Sequence, residues 1–543
     1  MNAMNEFERW LEKATDAEIK EELLSIQNSE ADIEDRFYKE LSFGTGGLRG
    51  VIGAGTNRMN VYSVKKATLG LADYLISTGS TSVVIAYDSR NKSSEFARLS
   101  AEVMSSKGIR AYLFSELTPT PVLSFAVRHL HADAGIVITA SHNPKEYNGY
   151  KVYNAHGCQI TDEAAAAITE RILHCDYFDE FVPNQHLIST VEESVQNAFI
   201  DAIKYFSLSR IDPCNAPTIV YSPLNGTGRK YVQKILHEIG IERLHTVKEQ
   251  ELPDGDFTTC PYPNPEEKEA LTLALRDATI YKADMVMVTD PDADRIGIAV
   301  PNEGGEYVLL NGNETGSILL YYILLKKSEE GTLSKGATVI KTIVTTDIIH
   351  DMAQEFGISV TEVLTGFKYI GEALDQTNLY LLGLEESYGY LIGTHARDKD
   401  AVSAAMLIAE ACAYFKEKGQ TLLEVLDEIY QRYGYYQTAL HSISMPGKDG
   451  MKKMKAILYR IRQAPPQSID GRNLTFDDFG KGIQGLPKSD VLRFQTEDLR
   501  MIIRPSGTEP KMKIYLQAKG SSKQNAREKI ARAFSFLDDL VTD

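Results

Sequence analysis

Two short stretches carry side chains that could do chemistry together. "TASHNP", Thr139 to Pro144, closes the apolar run Ile136-Val137-Ile138 with a serine hemmed by threonine, histidine and asparagine. "TDPDADR", Thr289 to Arg295, sets Asp290, Asp292 and Asp294 at i, i+2 and i+4, so an extended or looped backbone turns all three carboxylates to one side. Carboxylates so close repel each other, and a divalent cation relieves the repulsion. Hard oxygen donors select Mg2+ or Ca2+ over zinc, and Mg2+ is the expected ion. An EF-hand is excluded, because the positions where its loop needs glycine and glutamate hold Arg295 and Pro301. Three ligands leave room for an oxygen from a substrate or from the enzyme itself.

A serine doing covalent work needs a base, a metal or a charged pocket. The G-x-S-x-G elbow is absent, since Thr139 and Asn143 stand at its glycine positions, which argues against acyl transfer. A serine beside a carboxylate-bound cation suits phosphoryl transfer, where catalysis is mostly positioning and charge neutralisation. Further cations are within reach. Lys151, past the turn "EYNGY", is expected to return on the second strand of a hairpin, and Arg295 suits a site that holds phosphate. "FGTGGLRG", Phe43 to Gly50, lacks Walker spacing and is expected to deliver Arg49 to a phosphate. "RPSGTEP" combines Arg504, Ser506 and Thr508 around Gly507, a composition fit for a dianionic phosphate. In "GLEESYG", Glu385 and Ser387 at i, i+2 suit vicinal sugar hydroxyls; "THARDKD" adds His395, Arg397 and Lys399, for which a solvated loop is the competing reading.

Positioning these groups falls to a repeated unit. "SVVIAYDSR", "APTIVYSPLNGTG" and "GATVIKTIVTT" are each a β-branched run, a polar turn and a helical period of about 15 residues. Each precedes a second buried strand that ends in reactive side chains: "DAGIVITASHNP", "ADMVMVTDPDADR" and "NLYLLGLEESYG". Such alternation predicts α/β layers with ligands beyond the carboxyl ends of the strands, so the three polar clusters are expected to share one cleft. Weak links fall at Ser207 to Pro217, at the loop-rich Pro301 to Glu314, and near Tyr430 to Gln437, after which the pattern changes. The expected organisation is three similar α/β domains with mixed sheets, over residues 1–207, 208–313 and 314–434, and an α+β domain over 435–543, around a central cleft.

Composition narrows the partners. The 543 residues carry 75 acidic against 58 basic side chains, a formal charge of −17, so nucleic acid and anionic membrane are excluded as general partners. Five scattered cysteines without C-x-x-C spacing read as free thiols, the start has no leader pattern, and "GSILLYYILL" is too short to span a bilayer. A soluble cytoplasmic protein, monomer or homodimer, is expected.

Taken in order, "TASHNP", "DPDADR", "EES" with "RDKD", and "RPSGTEP" resemble the α-D-phosphohexomutase superfamily along essentially the whole chain, and most closely its phosphoglucomutase and phosphopentomutase-like branch. The resemblance implies four domains in a heart shape and a phosphoserine at Ser141, whose oxygen joins Asp290, Asp292 and Asp294 around Mg2+. It implies Arg49, His142, Lys151 and Arg295 beside the transferring phosphate, Glu385 and Ser387 on sugar hydroxyls, and Arg504, Ser506, Gly507 and Thr508 on the distal phosphate. Where many members carry a histidine after E-x-S-G, this chain has Tyr388, Gly389 and Tyr390, and His395 and Lys399 are the candidate substrate contacts. The implied reaction interconverts glucose 1-phosphate and glucose 6-phosphate, with glucose 1,6-bisphosphate as intermediate and activator. Mannose or pentose phosphates, or hydrolysis by a phosphatase built from the same parts, are the alternatives.

Overall fold

The computed structural model of the chain describes residues 2–445, 447–483, 485–505 and 511–542. β1 (Leu48–Val51), β2 (Ser82–Tyr87), β3 (Arg110–Leu113), β4 (Ala134–Ile138), β5 (Tyr147–Asn154) and β6 (Ile188–Thr190) form one mixed sheet, ordered β1-β5-β4-β2-β3-β6. A second, ordered β11-β10-β9-β7-β8, comprises β7 (Ile219–Ser222), β8 (Leu244–Thr246), β9 (Met285–Thr289), β10 (Ile296–Pro301) and β11 (Tyr307–Leu310). The third joins β12 (Thr338–Thr342), β13 (Ser359–Val363), β14 (Tyr380–Glu385) and β15 (Gly389–Ile392) in the order β13-β12-β14-β15.

The threefold repetition is visible in the pairing. β2 runs parallel to β4, β7 to β9 and β12 to β14, and each second strand then pairs antiparallel with its successor, β5, β10 or β15. Helices Ser93–Ser106, Gly228–Glu238 and Ile348–Phe356 follow the three first strands. β4 and β9 are buried along their whole length, as strands covered on both faces must be, and this is why their sequences run apolar without alternation. Since both members of each parallel pair end at the same sheet edge, the polar segments that follow them emerge side by side.

One expectation is corrected. The stretch Pro301 to Glu314, read as a loop-rich link, contains β11, which follows a turn at Gly305 (φ 80°) and pairs antiparallel with β10. The lipid-like run after it lies in the buried helix Gly312–Glu329, and among the described residues no helix is long and apolar enough to cross a membrane.

A single apolar core continues through the first three sheets. It joins Val84 and Phe199 to Tyr231, Met287 and Ile298, and these to Tyr322, Val339 and Leu407. Close-packed interiors transmit position with little compliance. Side chains from different sheets can therefore be held at fixed separations.

The C-terminal unit is an antiparallel sheet of β16 (Tyr435–Ser444), β19 (Thr475–Asp478), β20 (Leu492–Gln495), β21 (Leu499–Pro505) and β22 (Lys511–Gly520), ordered β16-β22-β21-β20-β19. Between its first two strands lies the small ribbon of β17 (Ser468–Ile469) and β18 (Arg472–Asn473), and helices Gly447–Gln463 and Lys523–Thr542 complete the unit. It has its own core and touches the third unit through Ile343, Val344 and Leu364 against Phe479, Ile502 and Tyr515. Beside that contact Lys341, fully buried, pairs with Asp347 at 2.9 Å and Glu362 at 2.8 Å, and Arg500 of β21 pairs with the same two acids.

Candidate functional site

Beyond β4 the backbone turns sharply. Ser141 adopts a left-handed conformation, φ 54°, which costs a residue with a Cβ roughly 1–3 kcal/mol and persists only where surroundings enforce it. Its N–H donates to Thr139 Oγ1 at 2.8 Å, and its hydroxyl donates to Asp290 Oδ2 at 2.8 Å, from the second sheet. His142 Nδ1 stands 3.2 Å from the same Oγ. Burial first, then the charges of Arg295 and Arg49, push the His142 imidazole well below its ordinary range, so it is neutral at neutral pH. Arg49, on β1, donates from Nη1 to Asn143 Oδ1 at 3.0 Å.

The three aspartates converge as their spacing requires. All are buried, and one oxygen from each lies within 4.8 Å of the others. Asp290 Oδ1 accepts from the backbone N–H groups of Asp294 and Arg295, which closes the loop on itself. Lys151 lies on β5 opposite Val137 of β4, and its Nζ donates to Asp292 Oδ2 at 2.8 Å and Asp294 Oδ2 at 3.4 Å. Thr120 Oγ1 also donates to Asp292 Oδ2, at 2.9 Å. Lys399 approaches Asp294 at 3.3 Å and Glu385 at 3.8 Å. Arg295 pairs with Glu266 at 2.5 Å.

These charges do not balance. Burial, then Asp292 and Asp294, push Asp290 well above the carboxylate range. Asp294 is held below that range, because Lys399, Lys151 and Arg295 together outweigh the effect of burial. Asp292 Oδ1 and Asp294 Oδ1 remain buried without a hydrogen-bond partner, a state that costs about 1–3 kcal/mol or more for each group. A hard divalent cation fits this all-oxygen set and would satisfy both orphaned atoms. The other acidic cluster among the described residues, Asp347 with His350 and Glu362, already has Lys341 and Arg500 as its counter-charges.

At the end of β14, Ser387 Oγ donates to Glu385 Oε1 at 3.0 Å. The neighbouring Glu386 is pushed up to about 7, by burial and then by Glu385, with Arg504 of the C-terminal sheet opposing. Arg504, on β21, has its guanidinium 5.7 Å from the ring centre of Tyr515. Ser506, Gly507 and Thr508 lie outside the described residues.

The structure thus brings Ser141, His142, Lys151, Asp290, Asp292, Asp294, Arg295, Lys399 and Glu385 together. It does not bring His395 there. That ring packs against Phe199 and Phe206, with its Nε2 2.7 Å from Asp400 Oδ2, because Asp400 caps the buried helix Ala401–Glu417 and draws the histidine into the core. Thr120 and Glu266, which touch Asp292 and Arg295, stand in no motif that marks them in the sequence.

Four family descriptions match: the phosphoglucomutase/phosphomannomutase α/β/α domains I, II and III over residues 40–177, 197–305 and 311–433, and the C-terminal domain of that family over 450–533. A phosphoglucomutase of Staphylococcus haemolyticus is 36% identical over 508 residues, 89% of this chain and 91% of that protein. One of Staphylococcus aureus strain USA300 is 35% identical over 546 residues, 96% and 97% of the two chains. Among solved structures, parafusin of Paramecium, a phosphoglucomutase in its open form, superposes with a TM-score of 0.69 at 18% identity, covering 93% of this chain and 96% of that one. A phosphoglucomutase/phosphomannomutase family protein of Burkholderia thailandensis gives 0.66 at 19%, covering 91% and 96%.

Proposed function

The chain belongs to the phosphoglucomutase/phosphomannomutase family and is a phosphohexomutase, and from that premise we propose that it interconverts glucose 1-phosphate and glucose 6-phosphate through a phosphoserine at Ser141. The observation that carries this reading is the 2.8 Å approach of Ser141 Oγ, from one sheet, to Asp290, from another. In the forward half-reaction the sugar 6-hydroxyl oxygen attacks the phosphorus on Ser141. The Oγ–P bond breaks, the electron pair returns to Oγ, and the hydroxyl proton passes to a base. The bisphosphate turns over in the cleft, and Ser141 Oγ takes the 1-phosphoryl group in the reverse sense.

Lys151 serves as a charge and not as that base. Burial opposes its proton, but Asp292 and Asp294 raise its affinity above the ordinary lysine value. His142, neutral and 3.2 Å from Oγ, stands beside the transferring group, and its depressed proton affinity suits it to hydrogen-bonding Oγ and not to serving as that base. Asp290, Asp292 and Asp294, with an oxygen on Ser141, would hold Mg2+, which when bound neutralises charge on the phosphoryl group. Glu385 and Ser387 orient sugar hydroxyls, while Arg49, Arg295 and Lys399 offset phosphate charge. Arg504, with Ser506, Gly507 and Thr508, takes the distal phosphate. Glucose 1,6-bisphosphate reloads enzyme that has lost its phosphoryl group.

Glucose is chosen over mannose and pentose because the Staphylococcus relatives similar over nearly the whole chain are phosphoglucomutases. A coupled assay of glucose, mannose, glucosamine and ribose 1-phosphates, with and without Mg2+ and bisphosphate, tests it. Glucose 1-phosphate should turn over fastest, and only with Mg2+. Equal rates on all four would overturn the choice of sugar; inorganic phosphate released in step with substrate loss would overturn the mutase.

A further inference from the structure

Arg90 has no part in the reaction as described, yet it is among the most constrained side chains in the molecule. Its guanidinium is fully buried and pairs at 3.3 Å with Asp88, which is equally buried. From Nη2 it donates to the carbonyl of Ser141 at 2.5 Å and to that of Asn143; from Nη1 it donates to Pro144 at 2.8 Å and Tyr147 at 3.2 Å. Four carbonyls of one irregular segment thus converge on a single planar group. One of them belongs to the strained serine itself.

Asp88 anchors the clamp. Its Oδ1 accepts from the Arg90 N–H at 3.0 Å and from Ser93 Oγ at 2.7 Å, and Ser93 Oγ in turn accepts from Asn148 of β5 at 3.0 Å. The other face of the guanidinium lies 5.0 Å from the ring centre of Phe257, a buried residue from the part of the chain that also carries the metal loop. One side chain therefore touches the backbone that carries Ser141 and the unit that carries Asp290. Neither a lysine, with three donors on one point, nor any neutral side chain could span these carbonyls.

We propose that Arg90 is a positioning residue that holds the Ser141 loop in its left-handed form and fixes the separation of Ser141 Oγ from Asp290 during phosphoryl transfer. The inference rests on the phosphoserine reading above. A displacement of about 1 Å in a reacting group costs on the order of 100-fold in rate, so the clamp acts on turnover and leaves sugar binding alone.

The test compares Arg90→Met, Arg90→Lys and Ser141→Ala by steady-state kinetics, melting temperature and intact-mass measurement of Ser141 loading from glucose 1,6-bisphosphate. Arg90→Met should lower kcat and the loading rate together by about 100-fold and Arg90→Lys by about 10-fold, with KM within about threefold of the parent. A folded Arg90→Met with kcat within about twofold of the parent, or with KM rising in step as kcat falls, overturns the proposal. If Arg90→Met does not fold, Arg90→Lys decides by the same criteria, since it keeps the buried charge beside Asp88. Ser141→Ala separates the two claims: turnover surviving there removes the phosphoserine reading and this inference with it. Turnover lost there but intact in the Arg90 variants removes only the inference.

Discussion

Glu410 offers a prediction that can be worked from the structure. It sits fully buried on the helix Ala401–Glu417 and clasps the chain between the first two sheets, accepting from Ser207 Oγ at 2.5 Å, the Leu208 N–H at 2.9 Å and the Tyr322 hydroxyl at 3.2 Å. Burial pushes its carboxyl from an ordinary 4.5 to about 7, more than these donors pull it back. The sign follows. Between the two values the folded chain holds a proton that the unfolded chain has lost, so stability falls as pH rises through that window, by about 1.4 kcal/mol per pH unit and roughly 3 kcal/mol in all. Glu410→Gln removes this dependence while nearly preserving shape. Measured by scanning calorimetry, the variant's melting temperature minus the parent's should climb by roughly 3–4 °C between pH 4.5 and 7.5, because the core shared by the first three sheets makes the cooperative unit several domains large. Comparing the difference cancels the other buried groups. A gap that stays constant across that range would refute the reasoning.

The site itself yields further expectations. Lys151→Met strips Asp292 and Asp294 of a shared buried cation and should cost about 3–5 kcal/mol in chemical denaturation, with kcat down at least about 100-fold. Added Mg2+ should raise the melting temperature of the parent, by an amount equivalent to about 2.7 kcal/mol at 100 times its Kd, and chelation should reverse it. Asp294→Asn should abolish that response. Gly226→Ala would place a Cβ 2.4 Å from Pro291 Cα, inside the metal loop, and should cost about 1–3 kcal/mol while weakening Mg2+ activation in the coupled assay.

The chemistry was more legible than its arrangement. Ser141 and the aspartates announce themselves because few purely structural loops put three acids after a fully buried strand, and the threefold strand pattern told which ends should meet. Lys151 could be placed because a short turn after β4 forces the next strand back alongside it. Arg90 was not legible as a clamp, since the carbonyls it binds carry no sequence signature. His395 shows the converse: a histidine in a charged run reads as a candidate substrate contact, but Asp400 and two phenylalanines hold it in the core. The shared core was hidden because length argues for separate cores, and only the packing of Val84, Met287 and Val339 into one cluster joins them. β11 was missed because its short apolar run sits among glycines and asparagines that signal turns.

The central claim is that one hydroxyl carries the phosphoryl group. Intact-mass analysis after incubation with glucose 1,6-bisphosphate, followed by peptide mapping and turnover assays on Ser141→Ala, tests it directly. The account predicts a gain of about 80 Da mapped to Ser141, absent from the variant together with all interconversion. A variant that still converts glucose 1-phosphate at the parent's rate would contradict it.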